Sequence, residues 1–260
     1  MRAHLPSRLT RRAGDARSYR YVFVVTYGRS GSTLLMGLLN TIPGYRIRGE
    51  NDNALHHLFR AYASVRDAYP KRAETAWSTG DPWYGADRWR PEEFRRSLVD
   101  AFVAQVLRPA PEDRVLGFKE IRYTTEHIRD LDPYLDFLRT AFPNSKIVFN
   151  HRLPTDVAKS AWWAENPKAL ERIKAADARL AAIPADDRHF HFHFDRIDDS
   201  LDTIRELFRF LGEEMDTKRV RATLETPHSY RPGERPVAAG SAAGRARTLA
   251  RRVVVRLRRR

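Results

Sequence analysis

The feature that most constrains this chain is an apolar segment that passes through a turn of small residues into a second apolar segment. Residues 19–26 (YRYVFVVT) are β-branched and aromatic, as in a buried strand, and residues 33–40 (TLLMGLLN) are typical of a buried helix. Small residues between a strand and a helix let backbone N–H groups converge on an anion, and the helix N-terminus favours negative charge. The pattern predicts a phosphate-binding loop, although a plain strand-to-helix turn has the same appearance. The candidate ligands are Gly28, Arg29, Ser30, Gly31, Ser32 and Thr33.

Further strands and helices alternate along the chain. The sequence predicts strands at residues 19–26, 45–48, 114–118, 145–150 and 189–194. It predicts helices at residues 33–40, 51–69, 91–107, 124–142, 155–163, 167–183 and 200–211. Such alternation predicts an α/β domain whose parallel sheet is covered on both faces.

The charge balance separates the termini from the rest of the chain. The formal net charge is +14 over 260 residues, but residues 1–20 carry +5 and residues 245–260 carry +8, which leaves +1 for the remainder. A near-neutral body does not predict a surface for nucleic acid. There is no cysteine, no secretory signal and no apolar stretch long enough to span a membrane. We therefore expect a cytoplasmic protein.

One rival function is nucleotide triphosphate chemistry. The loop of a nucleotide triphosphatase or kinase requires Lys immediately before its final Ser or Thr, because that Lys reaches the β- and γ-phosphates. Here Ser32 holds that position, between Gly31 and Thr33. This disfavours ATP or GTP hydrolysis. A small-molecule kinase of the P-loop type and a non-catalytic module that binds nucleotide or nucleic acid remain as alternatives.

The segment TYGRSGST at residues 26–33 resembles the 5′-phosphosulfate loop of sulfotransferases that use 3′-phosphoadenosine 5′-phosphosulfate (PAPS). Cytosolic members read TYPKSGT there, and Arg29 falls where they carry a loop Lys. The version with Arg is usual in bacterial, carbohydrate and tyrosylprotein sulfotransferases. The resemblance implies a P-loop-like three-layer α/β domain with a central parallel sheet of about five strands. It also implies PAPS as co-substrate, adenosine 3′,5′-bisphosphate as product, and no metal.

A second motif strengthens the resemblance. The segment FNHRLPTDVAKS at residues 149–160 leaves the fourth predicted strand and enters a helix. It resembles the family's 3′-phosphate segment, and Arg152 and Ser160 have that segment's spacing of eight. Physically, an Arg at a strand end can bind a phosphate with its guanidinium, and a Ser hydroxyl can add a donor. The plainer interpretation pairs Arg152 with a surface carboxylate and packs Ser160 on its helix.

Sulfuryl transfer to oxygen needs a base for the acceptor hydroxyl and cations for the developing charge. Cytosolic members place a Lys-x-His arrangement after the third strand, whereas this chain has Lys119-Glu120-Ile121 and lacks the His. Bacterial carbohydrate and tyrosylprotein members place a Glu in a Gly-Glu context after the second strand, which Glu50 matches. The resemblance implies Glu50 as base with Lys119 and Arg29 as cations. Glu120 is the reserve candidate for the base. In the plainer interpretation, Glu50 is only an acidic residue at the start of the next helix, where the helix dipole favours negative charge.

Three features outside the motifs bear on partners. Residues 70–91 form a long irregular segment rich in Trp, which, with Glu as base, favours a carbohydrate or glycolipid hydroxyl as acceptor over a phenol. His189, His191 and His193 alternate on a strand, which suggests either a metal site or, as we expect, a strand at the edge of the sheet. Residues 230–233 lie where cytosolic members close a loop over the nucleotide.

The C-terminal residues combine charge with an apolar stripe. Eight arginines lie within residues 245–260, and Leu249, Val253 and Leu257 recur every four residues. A basic amphipathic helix of this kind is typical of attachment to an anionic membrane surface, and a disordered basic tail is the alternative. The sequence thus predicts a basic extension at residues 1–19, a sulfotransferase domain at 20–235, and a C-terminal tail at 236–260. We expect a cytoplasmic enzyme that is peripheral at the inner face of the membrane.

Overall fold

A computed structural model describes residues 16–226 of the chain. The tail prediction, residues 230–233 and most of the N-terminal extension lie outside these residues. Five strands form one sheet: β1 Arg20–Val25, β2 Tyr45–Arg48, β3 Val115–Glu120, β4 Ser145–His151 and β5 His189–His193. Their order is β2-β3-β1-β4-β5 and all four pairings are parallel. The predicted parallel sheet of five strands is confirmed, and β5 lies at its edge.

Nine α-helices flank the sheet within the described residues. They are α1 Ser32–Leu39, α2 Ala54–Ala68, α3 Pro70–Ala73, α4 Pro91–Phe102, α5 Leu131–Ala141, α6 Pro154–Ala158, α7 Ala169–Ala181, α8 Asp202–Leu211 and α9 Thr217–Glu225. A π-helical turn, Val103–Leu107, extends α4. No helix of residues 16–226 is long and apolar enough to cross a membrane.

Alternate residues of β1 pack into two separate cores. Phe23 and Val25 belong to a large cluster with side chains of α2, α4, α5 and α7. Val22 and Val24 face the other way, into a cluster with side chains of α1, α8 and α9. Because both faces of the sheet are covered, β1 is apolar at every position after Arg20, as central parallel strands usually are. This is the predicted three-layer architecture.

Three helix predictions need correction. The helix predicted at 124–142 spans only Leu131–Ala141, because Pro133 lacks an N–H and fits only the first turn, where none is needed. The helix predicted at 155–163 divides into α6 and a 3₁₀ turn at Ala161–Trp163. Helix α9 was not predicted. It begins after Asp216, whose carboxylate accepts a hydrogen bond from the backbone N–H of Arg219, as an N-cap does.

Candidate active site

Parallel strands present their carboxyl ends at one edge of the sheet, and there the described residues line a cavity of about 440 Å³. The loop after β1 and the start of α1 contribute one wall. The remaining walls come from the ends of β2, β3, β4 and β5 and from α9. The lining residues are Arg29, Gly31, Ser32, Thr33, Leu34, Glu50, Lys119, Ile121, Arg152, Trp162, Phe194, Leu224 and Thr226.

The predicted phosphate loop turns sharply into α1. Gly31 is the N-cap and has φ +84°, a conformation that favours glycine. A side chain there would also collide with Phe194, whose ring carbon lies 2.1 Å from where a Cβ would be. The first turn of α1, which contains Ser32 and Thr33, leaves backbone N–H groups without intrahelical partners. The loop therefore directs donors and a helix dipole into the cavity.

The two sequence motifs are joined by hydrogen bonds. The hydroxyl of Thr26 donates to the carbonyl oxygen of Asn150 at 2.6 Å, and the amide of Asn150 donates to the carbonyl oxygen of Ser30 at 3.0 Å. The guanidinium of Arg29 donates to the hydroxyl of Ser160 at 3.0 Å. These contacts fix the loop after β1 against the end of β4. Ser160, Ser30 and Gly28 support the loop but do not line the cavity.

Arg152 lies in the cavity wall with one donor to spare. Its Nη1 donates to the carbonyl oxygen of Arg29 at 3.0 Å, and its guanidinium carbon lies 4.9 Å from the centre of the Phe194 ring. Its Nε is buried and has no hydrogen-bond partner among residues 16–226, since the nearest carboxylate oxygen, on Asp195, is 4.0 Å away. A buried charged donor without a partner is costly in a protein interior and indicates an anionic ligand.

Lys119 and Glu50 form an ion pair at the centre of the site. Lys119 lies within β3 and its side chain is only 6% exposed, so it is not a solvated strand-end lysine. Its ammonium contacts the carboxylate of Glu50, whose side chain is 35% exposed and lies two residues beyond β2. The guanidinium of Arg122 approaches the same carboxylate at 3.7 Å. Glu50 is thus an accessible carboxylate beside cations, and it does not begin α2.

Glu120, the reserve candidate for the base, is enclosed. It is 1% exposed, and one carboxylate oxygen accepts hydrogen bonds from the backbone N–H groups of Asn51 and Asn53, each at 3.1 Å. The other oxygen accepts from the backbone of Ile121 and the guanidinium of Arg122. With both oxygens engaged and no access to the cavity, Glu120 holds the loop that carries Glu50.

Sequence reasoning missed several residues of the site. Phe194 packs on both Gly31 and Arg152, and a single aromatic residue at a strand end gives no distinctive signal. Leu224 and Thr226 reach the cavity from the unpredicted α9. The segment at residues 70–91, which lies entirely within the described part, contributes no lining residue.

The geometry defines a site for a polyanion next to a carboxylate. Arg29, Lys119 and Arg152 line one cavity with the N-terminus of α1, and Glu50 adds a group that can accept a proton. Among residues 16–226 no group of three or more His, Asp or Glu side chains is arranged to hold a metal ion. The described residues thus form an α/β domain whose cavity brings three cations and a carboxylate together at the carboxyl ends of the strands.

The comparisons with known proteins identify the family. The chain matches the model described as "Sulfotransferase family" over residues 21–217, a span that contains both motifs. Comparison with curated protein sequences gives no significant match. This chain belongs to the sulfotransferase family.

Two solved structures are similar to this chain. The sulfotransferase domain of the Synechococcus PCC 7002 olefin synthase is 18% identical, has a TM-score of 0.50, and is aligned over 83% of this chain and 79% of that one. Sulfotransferase STF9 from Mycobacterium avium is 16% identical with a TM-score of 0.44, aligned over 85% of this chain and 70% of that one. The first of these likenesses shows the fold.

Proposed function

We propose that this sulfotransferase moves the sulfuryl group of PAPS to a hydroxyl of a carbohydrate or glycolipid. The observation that carries the proposal is Arg152, whose buried Nε lacks a hydrogen-bond partner beside the phosphate loop and has only the Asp195 carboxylate at 4.0 Å. In this assignment the loop and the first turn of α1 bind the 5′-phosphosulfate. Arg152 binds the 3′-phosphate. Ser160 supports this arrangement indirectly, because its hydroxyl accepts a hydrogen bond from the guanidinium of Arg29. Gly31 lets the loop backbone approach a phosphate closely.

In the reaction the acceptor oxygen bonds to sulfur, the bond from sulfur to the bridging phosphate oxygen breaks, and adenosine 3′,5′-bisphosphate leaves. Glu50 takes the proton of the acceptor hydroxyl, since it is the accessible carboxylate of the cavity. Lys119 and Arg29 neutralise charge on the leaving phosphate. A bound phosphosulfate would compete with Glu50 for the Lys119 ammonium and so free the carboxylate to act as a base.

The acceptor assignment rests on the carboxylate base alone, since no residue of the Trp-rich segment lines the cavity. Leu34, Ile121 and Leu224 give the cavity an apolar rim in addition to its charges. Transfer of ³⁵S from labelled PAPS into cell-envelope extracts identifies the acceptor. Label that partitions into the lipid fraction supports a glycolipid, and label in the water-soluble saccharide fraction supports a carbohydrate.

We also propose that residues 245–260 bring the enzyme to an anionic membrane surface. Their eight arginines and regularly spaced apolar residues carry this proposal. A glycolipid acceptor would then lie at the same membrane surface as the bound enzyme.

Thermal stabilisation by ligand tests the donor assignment. Adenosine 3′,5′-bisphosphate and PAPS are expected to raise the melting temperature, because a ligand that binds only the folded state stabilises it. ATP with Mg²⁺ is expected to raise it far less. Stabilisation by ATP that equals or exceeds that by the bisphosphate would contradict the donor assignment and favour a kinase of the P-loop type.

A further inference from the structure

A chain of hydrogen bonds runs behind Arg152, away from the cavity. The carboxylate of Asp177, on α7, lies 2.7 Å from the hydroxyl of Tyr27 and 2.7 Å from Nδ1 of His151. The other ring nitrogen of His151 lies 2.8 Å from Nδ1 of His191, on β5. Tyr27 and His151 are themselves almost completely buried. No part of the proposed reaction uses these groups, so they need another explanation.

The direction of the protons follows from the partners. Nε2 of His191 lies 2.8 Å from the carbonyl oxygen of Ile183, which can only accept, so this nitrogen carries a proton. Burial lowers the pKa of His191, which keeps the ring neutral and leaves its Nδ1 as an acceptor. This nitrogen faces Nε2 of His151 at 2.8 Å.

The other side of His151 faces a carboxylate. Burial alone would raise the pKa of Asp177, but hydrogen bonds from His151 and Tyr27 outweigh it and leave that pKa lowered. Ionised Asp177 can only accept, so His151 donates from Nδ1. The carboxylate of Asp177 thus accepts from both Tyr27 and His151, and the His151 ring stacks at 5.0 Å on that of His193, whose pKa burial lowers.

Tyr27 connects this pair to the backbone of Arg152. Burial, with a smaller contribution from Asp177, raises the pKa of Tyr27, so its hydroxyl keeps its proton and donates it to Asp177. The same oxygen accepts a hydrogen bond from the backbone N–H of Arg152 at 3.1 Å and lies 3.0 Å from the Arg152 carbonyl oxygen. The backbone of Arg152 is therefore held by a side chain that does not line the cavity.

We propose that Asp177 is a positioning residue that, through Tyr27 and His151, orients Arg152 toward the 3′-phosphate of the donor. The connection is made at two points of the chain that matter for binding: Tyr27 directly precedes the phosphate loop, and His151 directly precedes Arg152. A single carboxylate on α7 thus sets the spacing between the two phosphate-binding segments. The charged neighbours Asp195 and Arg196 follow β5: Asp195 lies 4.0 Å from Nε of Arg152 and also raises the pKa of Tyr27 slightly, and Arg196 helps to lower the pKa of His193.

This inference rests on the proposed donor, and its test uses the 3′-phosphate as the reporter. The ratio of the Kd values for adenosine 5′-monophosphate and adenosine 3′,5′-bisphosphate is measured by calorimetry for the full chain and for Asp177→Asn and Tyr27→Phe. We call the hydrogen-bonded chain of Tyr27, Asp177 and His151 the relay. Both variants are expected to bind the bisphosphate about tenfold more weakly, because a buried hydrogen bond of the relay is lost. Binding of the monophosphate should change by about twofold or less, since it does not use Arg152.

A matched control separates positioning from stability. Asp186 pairs with His189 at the opposite end of β5, at 3.1 Å, and Asp186→Asn is expected to keep the wild-type ratio whatever its melting temperature. If Tyr27→Phe fails to fold, Asp177→Asn decides the matter alone. A wild-type ratio in the folded relay variants would overturn the relay but not the donor site. A wild-type protein that binds both nucleotides equally would overturn the donor site and the relay together.

Discussion

The guanidinium of Arg152 donates a hydrogen bond to the carbonyl oxygen of Arg29, although 123 residues separate them in the chain. Arg29 belongs to the loop after β1, and Arg152 follows β4, which pairs with β1 directly. The two segments assigned to the two phosphates of the donor are therefore neighbours in the sheet and are bonded to each other. This contact holds the two segments next to each other at the carboxyl end of the sheet.

Glu50→Gln tests the base. The amide keeps the shape of the side chain and can still accept a hydrogen bond from Lys119, but it cannot take a proton. Turnover with the acceptor found in the ³⁵S screen is expected to fall by about two to four orders of magnitude, with affinity for adenosine 3′,5′-bisphosphate retained. Glu93→Gln, at an exposed ion pair with Arg90, is the control. Normal turnover by Glu50→Gln would exclude Glu50 as the base.

Glu120→Gln tests whether this buried carboxylate is structural. Its oxygens accept four hydrogen bonds, and an amide nitrogen in place of one oxygen would face donors. The free energy of unfolding in urea is expected to fall by about 2 kcal/mol. Turnover per folded molecule should fall less than in Glu50→Gln. If Glu120→Gln has normal stability and greatly reduced turnover, the structural role is wrong and Glu120 is the better candidate for the base.

The sequence predicts the sheet and the strand-to-helix turns that carry the two motifs well, because both depend on local patterns. A buried parallel strand is apolar throughout, and a loop such as that around Gly31 needs small residues at fixed positions. The ends of helices were less predictable. Residues 124–130 have helical periodicity, yet α5 begins only at Leu131, with Pro133 in its first turn. The position of Lys119 inside β3 was likewise missed, since a lysine usually ends an apolar run.

Contacts between distant segments account for what the sequence did not predict. The burial of Glu120 depends on backbone N–H groups of residues 51 and 53, which no spacing around Glu120 reveals. The relay joins Tyr27, His151 and Asp177, which only the packing of α7 on β4 brings together. The alternating histidines of β5 were visible, but the partner of His191 proved to be a histidine of the neighbouring strand.

His56 predicts a dependence of stability on pH. Burial, with smaller effects of His57 and Arg60, lowers the pKa of His56 to about 4 from its ordinary 6.5. The unfolded chain therefore binds the proton more readily, so this contribution to stability is intact above pH 6.5 and is lost as the pH falls toward 4. In His56→Phe the free energy of unfolding should fall less steeply as the pH is lowered, which urea unfolding between pH 7.5 and 4.5 measures. His127→Gln, at an exposed site outside α2, should keep the wild-type slope, and an unchanged slope in His56→Phe would refute this.

Deletion of residues 245–260 tests membrane attachment. Each arginine near an anionic surface contributes up to about 1 kcal/mol, so the truncated protein should no longer sediment with vesicles rich in anionic lipid. The wild-type protein should sediment at low salt and be released at high salt. Affinity for adenosine 3′,5′-bisphosphate should not change, because Arg29, Lys119 and Arg152 lie elsewhere. Equal sedimentation of the two proteins would mean that this segment does not bind membranes.

The central claim is that Arg152 binds the 3′-phosphate of the donor, and calorimetric titration of Arg152→Ala tests it most directly. Loss of a charge-assisted contact should weaken adenosine 3′,5′-bisphosphate by about 2–3 kcal/mol, or roughly 30- to 150-fold, and adenosine 5′-monophosphate far less. Arg205→Ala, at an exposed ion pair with Asp202 on α8, removes the same charge and should leave both affinities unchanged. Equal losses for the two nucleotides in Arg152→Ala, or no loss at all, would contradict the assignment.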